Sequence, residues 1–115
     1  VTRGGLATVL NEICGSAGLS ATIDEDAVPV SPAVQGLCGM LGLEPFYMAN
    51  EGKLVAVVAG QDAGRALELL RSTSLGKNAA MLGLMAEGKG VLVRTPLGSM
   101  RVLDVLYGEG LPRIC

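Results

Sequence analysis

Residues 79–105 read as three strand-length segments, 79–87, 91–95 and 99–105, parted by two tight turns. The turns are Gly88-Lys89-Gly90 and Pro96-Leu97-Gly98, built from residues that set turn geometry. Connections this short normally join neighbouring antiparallel strands, so this part of the chain predicts a β-meander. Such a sheet needs a second layer to bury its apolar face. Leu6, Val9, Leu10, Ile13 and Ala17 recur at helical spacing. They predict a helix over residues 5–17, with Thr2 as its N-cap and Gly18 as its stop. Residues 20–24 alternate polar and apolar and predict a short strand. Pro29 and Pro32 open a second helix, with Val34, Leu37, Cys38 and Leu41 on its inner face and Gly42 at its end. Residues 53–59 predict a buried strand. Residues 61–72 predict a third helix with Ala63, Ala66, Leu67 and Leu70 inward. Asp62 near its start and Arg71 near its end suit the helix dipole. Three helices and five strands in this order predict an α+β fold, a mixed β-sheet with helices packed on it.

Composition narrows the class. The chain has 115 residues, enough for one domain with a modest core. Half are apolar, yet the aromatics are only Phe46, Tyr47 and Tyr107, so the core is expected to be aliphatic. The 17 glycines imply tight turns or close backbone approaches. A net charge of −2 argues against nucleic acid, which calls for a basic face. No apolar run nears the roughly 18 residues of a membrane span, and no signal peptide opens the chain. It starts on Val rather than Met, which reads as a piece of a longer chain. Histidine is absent, and the three cysteines form no CxxC, so neither a disulfide framework nor a metal site is expected. A reducing cytoplasm is the natural location.

Cys14 and Cys38 fall on apolar helix faces and read as core residues. Cys115 differs, because it is the last residue of a tail containing Gly108, Gly110 and Pro112. Residues 107–115 reach about 30 Å when extended. An unperturbed thiol has a pKa of about 8.5, and the adjoining terminal carboxylate raises it by like-charge repulsion. Arg113 partly offsets this. Such a thiol is a poor autonomous nucleophile but a workable acceptor in a partner's site. From the residues alone, Cys115 is either a carrier thiol or an incidental terminal cysteine. Thr2-Arg3-Gly4-Gly5 leads into the first helix, where free N–H groups and the dipole favour an anion; such an entry is common, and by itself it reads first as an ordinary cap. Asn50-Glu51-Gly52-Lys53 holds a carboxylate beside a glycine. That arrangement suits a general base or a solvated turn.

Three segments taken together are more specific. They are Thr-Arg-Gly-Gly-Leu-Ala-Thr-Val-Leu-Asn-Glu-Ile at 2–13, Ala-Asn-Glu-Gly-Lys-Leu at 49–54 and Pro-Arg-Ile-Cys at 112–115. In order and over essentially the whole chain, they resemble the carbamoyl dehydratases of hydrogenase maturation, the HypE family. The resemblance implies the fold of the C-terminal domain of aminoimidazole ribonucleotide synthetase. It further implies that a partner carbamoyltransferase loads a carbamoyl group onto Cys115. ATP then activates the amide oxygen, and dehydration leaves a thiocyanate. The cyanide passes to iron on a hydrogenase maturation scaffold complex. On this resemblance Cys115 is the carrier, Glu51 the base and Asn50 an orienting group for the amide, while Thr2, Arg3, Gly4 and Gly5 border the triphosphate.

Two features depart from the family. Its N-terminal half, which supplies most ATP and Mg2+ contacts and the usual homodimer interface, is missing. So is the acidic residue that shortly precedes Thr-Arg-Gly-Gly. The expectation is therefore a C-terminal domain over residues 1–106 with a flexible tail over 107–115, inactive by itself. The alternatives are a non-catalytic α+β binding module, or the equivalent domain of a related ATP-using synthetase.

Overall fold

A computed structural model describes residue 1 and residues 3–105. Among them are three α-helices, α1 (Gly5–Ala17), α2 (Pro32–Leu41) and α3 (Gly60–Arg71). Four strands are present, β1 (Leu19–Asp24), β2 (Gly83–Glu87), β3 (Gly90–Arg94) and β4 (Met100–Val102). Short 3₁₀ turns occupy Glu25–Ala27 and Pro45–Tyr47. The strands form one mixed sheet in the order β2-β1-β3-β4, so the α+β expectation holds. The expected role of Thr2 at the triphosphate, Tyr107 and the tail through Cys115 lie outside the described residues.

α1 ends at Gly18, whose left-handed backbone (φ 67°) and N–H bond to the Cys14 carbonyl form the stop. At its start the expected Thr2 cap is corrected: the N-cap is Gly4, also left-handed at φ 77°. α2 begins as a Ser-Pro pair should. The Ser31 hydroxyl accepts from the Val34 N–H, and Pro32 takes the first turn, where its missing N–H costs nothing.

The meander expectation fails in one respect. β3 and β4 do pair antiparallel, but β2 and β3 are not neighbours. β1 lies between them, antiparallel to β2 and parallel to β3, with Leu19 opposite Glu87 and Ser20 opposite Gly90. The short link must therefore cross the end of β1. Two inter-strand spacings come to about 9.5 Å, and three residue steps reach roughly 10 Å, so the link runs almost fully stretched. Gly88 and Gly90 supply the φ of 140° and 80° that this path needs. A hairpin and this crossing have the same local sequence; only competition for β1 separates them.

The core lies between α1 and one face of the sheet. Ala7, Leu10 and Cys14 of α1 pack on Ala21 and Ile23 of β1 and Val91 and Val93 of β3, with Phe46 and Leu103 completing the buried set. The alternation in β1 and β3 puts these residues on one face. The core is aliphatic apart from Phe46, and Cys14 and Cys38 are buried as expected. Burial pushes the Cys14 thiol pKa up. A thiol that stays protonated in the folded chain beyond about pH 8.5, where it ionises when unfolded, makes stability fall as pH rises. The urea midpoint should decline as the pH rises above about 8.5, and Cys14→Ala should flatten that decline.

Three further expectations are corrected. Residues 53–59 form no strand among the described residues, and Leu54, Val57 and Val58 are exposed; only Val55 reaches the core. A fully apolar strand needs cover on both faces, and the two inner positions of this sheet are taken by β1 and β3. In α2 only Cys38 is buried, while Val34, Leu37 and Leu41 face outward. No charged residue occurs from 27 to 43, so polarity leaves the inner face of this helix undefined. In α3 Ala63, Ala66 and Leu67 are half-buried but Leu70 is exposed.

Candidate functional site

The site forms where the chain enters α1. Gly4 and Gly5 both have positive φ, at 77° and 67°. Among the described residues no side chain caps this end, and the first turn of α1 holds no acidic residue. The first-turn N–H groups and the positive end of the dipole are the features that favour an anion at such a helix start.

Gly5 also answers to close packing. A Cβ there would lie 2.6 Å from the carbonyl oxygens of both Phe46 and Met48. The backbone of 46–48 is therefore seated directly on the start of α1. Gly5→Ala combines this clash with a strained φ and should cost about 2–4 kcal/mol, read as a lower urea midpoint.

Beyond Met48 the chain runs through Asn50, half-buried, and Glu51, exposed, to Gly52 at φ 75°. The backbone nitrogen of Val1 then donates to the Lys53 carbonyl at 3.0 Å. Contacts at both ends hold the 46–53 segment alongside residues 1–5. The fold thus joins the two motifs, some 45 positions apart in the chain. Arg3 is exposed at the same end. Thr2 and Cys115 lie outside the described residues.

The last described stretch of the chain is anchored nearby. Leu103 is fully buried; its N–H donates to the Val91 carbonyl at 2.9 Å. Its own carbonyl accepts from the Asn11 amide at 2.9 Å, and the same amide donates to the Ala7 carbonyl at 2.8 Å. Asp104 comes next, beside Tyr47. Burial first, then the neighbouring Glu44, raises the Tyr47 pKa; Arg101 opposes them. The chain thus leaves the sheet next to the Pro45–Tyr47 turn, which in turn leads to Asn50 and Glu51.

Asn11 and Arg101 were missed in the sequence reading. An asparagine within an apolar helix is a poor helix former unless its side chain has a partner, and that was the available clue for Asn11. Arg101 carries a charge into a short strand, which hints at partners on the elements beneath. Two hollows of about 320 and 300 Å3 lie elsewhere. The first is lined by Glu25, Glu44 and Phe46 among others, the second by Asn11, Cys14 and Lys89 among others. Neither includes the sequence-predicted site residues. Among the described residues no group of three or more Cys, Asp or Glu could hold a metal ion, and no helix is long and apolar enough to cross a membrane. The start of α1 offers N–H donors, which suit phosphate oxygens and not a cation.

Comparison with known proteins identifies the family of the domain. Residues 1–95 match the family model of the AIR synthase related protein, C-terminal domain. The carbamoyl dehydratase HypE of Cupriavidus necator is 51% identical over 116 residues, covering 99% of this chain and 33% of that protein. The crystal structure of Escherichia coli HypE superposes with a TM-score of 0.92 at 45% identity, covering 100% of this chain and 36% of that one. A HypE in complex with ATP gives 0.90 at 42% identity, over 99% and 36% of the two chains. A HypE–HypF complex gives 0.88 at 38%, over 91% and 34%. The chain spans about a third of the length of the relatives it matches.

The chain belongs to the family of AIR synthase related C-terminal domains. Within that family it is a domain of the HypE type, the type found in the carbamoyl dehydratases of hydrogenase maturation.

Proposed function

We propose that this chain is the C-terminal domain of an ATP-dependent dehydratase that turns a carbamoyl group on its own Cys115 into a thiocyanate. The observation that supports the reading is the packing of the Phe46 and Met48 carbonyls on Gly5, with the Val1 nitrogen bonded to the Lys53 carbonyl, which brings the chain segment that carries Asn50 and Glu51 to the end of the domain where α1 begins. On this reading the start of α1 borders phosphate, and Glu51 and Asn50 serve as the carboxylate and the amide of the same site.

The chemistry follows from what dehydration of an amide requires. The thiocarbamate oxygen is a poor leaving group until it is phosphorylated. It attacks the γ-phosphate of ATP, expelling ADP, while one N–H proton is lost. Loss of the second N–H proton and departure of phosphate leave S–C≡N. The net change is removal of one water from the loaded thiol. Glu51 takes an amide proton, and Asn50 orients the amide. The N–H groups at Gly4 and Gly5, with Thr2 and Arg3, border the triphosphate. Most ATP contacts, and those to Mg2+, belong to the part of the protein outside this chain. The solved HypE complex with ATP supports nucleotide use.

The HypE–HypF complex supports a protein partner; the proposal makes it the carbamoyltransferase that loads Cys115. An iron-carrying maturation scaffold receives the cyanide, in the cytoplasm, from a homodimeric full-length protein. The test is mass spectrometry of the C-terminal peptide, with full-length protein, the transferase, carbamoyl phosphate and ATP. The peptide should gain one carbamoyl group and then lose one water. An unmodified tail in the presence of active transferase would overturn the proposal.

A further inference from the structure

Arg101 in β4 is half-buried, and its contacts converge on the elements that support the site. Its Nη2 donates to Glu25 Oε1 at 3.2 Å and to Glu44 Oε1 at 3.0 Å. Its guanidinium carbon lies 5.8 Å from the centroid of the Phe46 ring, within reach of a cation–π contact. Glu25 opens one 3₁₀ turn, Glu44 is the N-cap of the other, and Phe46 lies inside that second turn. Burial alone would lower the Arg101 pKa, but the Glu44 and Glu25 carboxylates outweigh it and hold it up, so the clasp stays charged.

The clasped turn is the same Pro45–Tyr47 turn whose carbonyls rest on Gly5. Glu51 follows Met48 by three positions, in a stretch without helix or strand up to residue 59. Its place is therefore inherited from the turn. We propose that Arg101 is a positioning residue for dehydration, fixing the path of the chain that leads to Glu51 by locking the Pro45–Tyr47 turn to the sheet. The inference rests on the reading of Glu51 as the base.

Removing the guanidinium does more than delete two hydrogen bonds. Glu25 and Glu44 each reach the same nitrogen, so their carboxylates converge on one point. Without the shared cation they repel, and the turn swings off the sheet edge. A small displacement of a catalytic group is costly, because proton transfer depends on close alignment.

The test uses the full-length protein, carbamoyl-loaded, in single turnovers at saturating ATP. Arg101→Gln should slow dehydration about 10- to 100-fold, with carbamoyl loading and the KM for ATP within about twofold of wild type. Glu44→Gln, which removes one arm of the clasp, should slow the same step about two- to fivefold. In a Glu51→Gln background, Arg101→Gln should add no further loss, since the group it places is already gone.

A normal dehydration rate in Arg101→Gln, an equal loss in loading and dehydration, or a multiplied loss in the double variant overturns the positioning role. If Arg101→Gln fails to fold, Glu44→Gln and its combination with Glu51→Gln decide by the same criteria. A normal rate in Glu51→Gln alone removes the base assignment and this inference with it. Impaired Glu51→Gln with unimpaired Arg101→Gln removes the positioning role only.

Discussion

Cys115→Ala in the full-length protein should abolish both the carbamoyl mass gain and the subsequent loss of water. Alanine offers no nucleophile, and no other described thiol can substitute. Cys14 and Cys38 are both buried, and burial holds the Cys14 thiol in its protonated, unreactive form. The described core is assembled from residues 7 to 103, so the thermal midpoint should stay near that of the wild type. Intact-mass measurement of the C-terminal peptide, beside a melting curve, checks both halves of this expectation. Continued loading of the alanine variant at another residue would remove Cys115 from its role.

Glu51→Gln should separate the two steps. Glutamine keeps the shape of the side chain and its capacity to accept a hydrogen bond, but it cannot take a proton. Carbamoylation, which the proposed function assigns to the partner's site, should proceed at the wild-type rate. Dehydration should fall by about 10²- to 10³-fold, within the range that a positioned general base contributes. The loaded thiocarbamate should accumulate and be visible by mass. Glu51 is exposed and lies in a short loop closed by Gly52 at positive φ, so the substitution should leave stability within about 0.5 kcal/mol. Normal dehydration in this variant would place the base elsewhere.

How much of this was legible in the sequence depended on whether the determinant was local. α1 was, because Leu6, Leu10 and their neighbours carry the helical period and Gly18 carries the stop. β1 was, because its alternation survives in its burial. The pairing of β2 was not, since the Gly88-Lys89-Gly90 link looks the same whether it turns a hairpin or crosses a third strand. The inner face of α2 was not, because an uncharged helix gives no contrast between its faces. The Thr-Arg-Gly-Gly and Asn-Glu-Gly motifs stood out individually. Their adjacency did not, since it depends on Gly5 fitting beneath the carbonyls of Phe46 and Met48. Arg101 was illegible for the same reason: its meaning lies in Glu25 and Glu44, 76 and 57 positions away.

The crossing link has a consequence for how the domain is made. β1 finds both of its neighbours within residues 83–94, which follow it by about sixty residues. At ribosomal rates of 5–20 residues per second that separation lasts roughly 3–12 s. For that interval α1 and β1 have emerged with Ala21 and Ile23 uncovered, and no local partner can complete their sheet. Folding of this domain is therefore a late, concerted closure, in which one short ribbon arrives and grips the waiting strand from both sides.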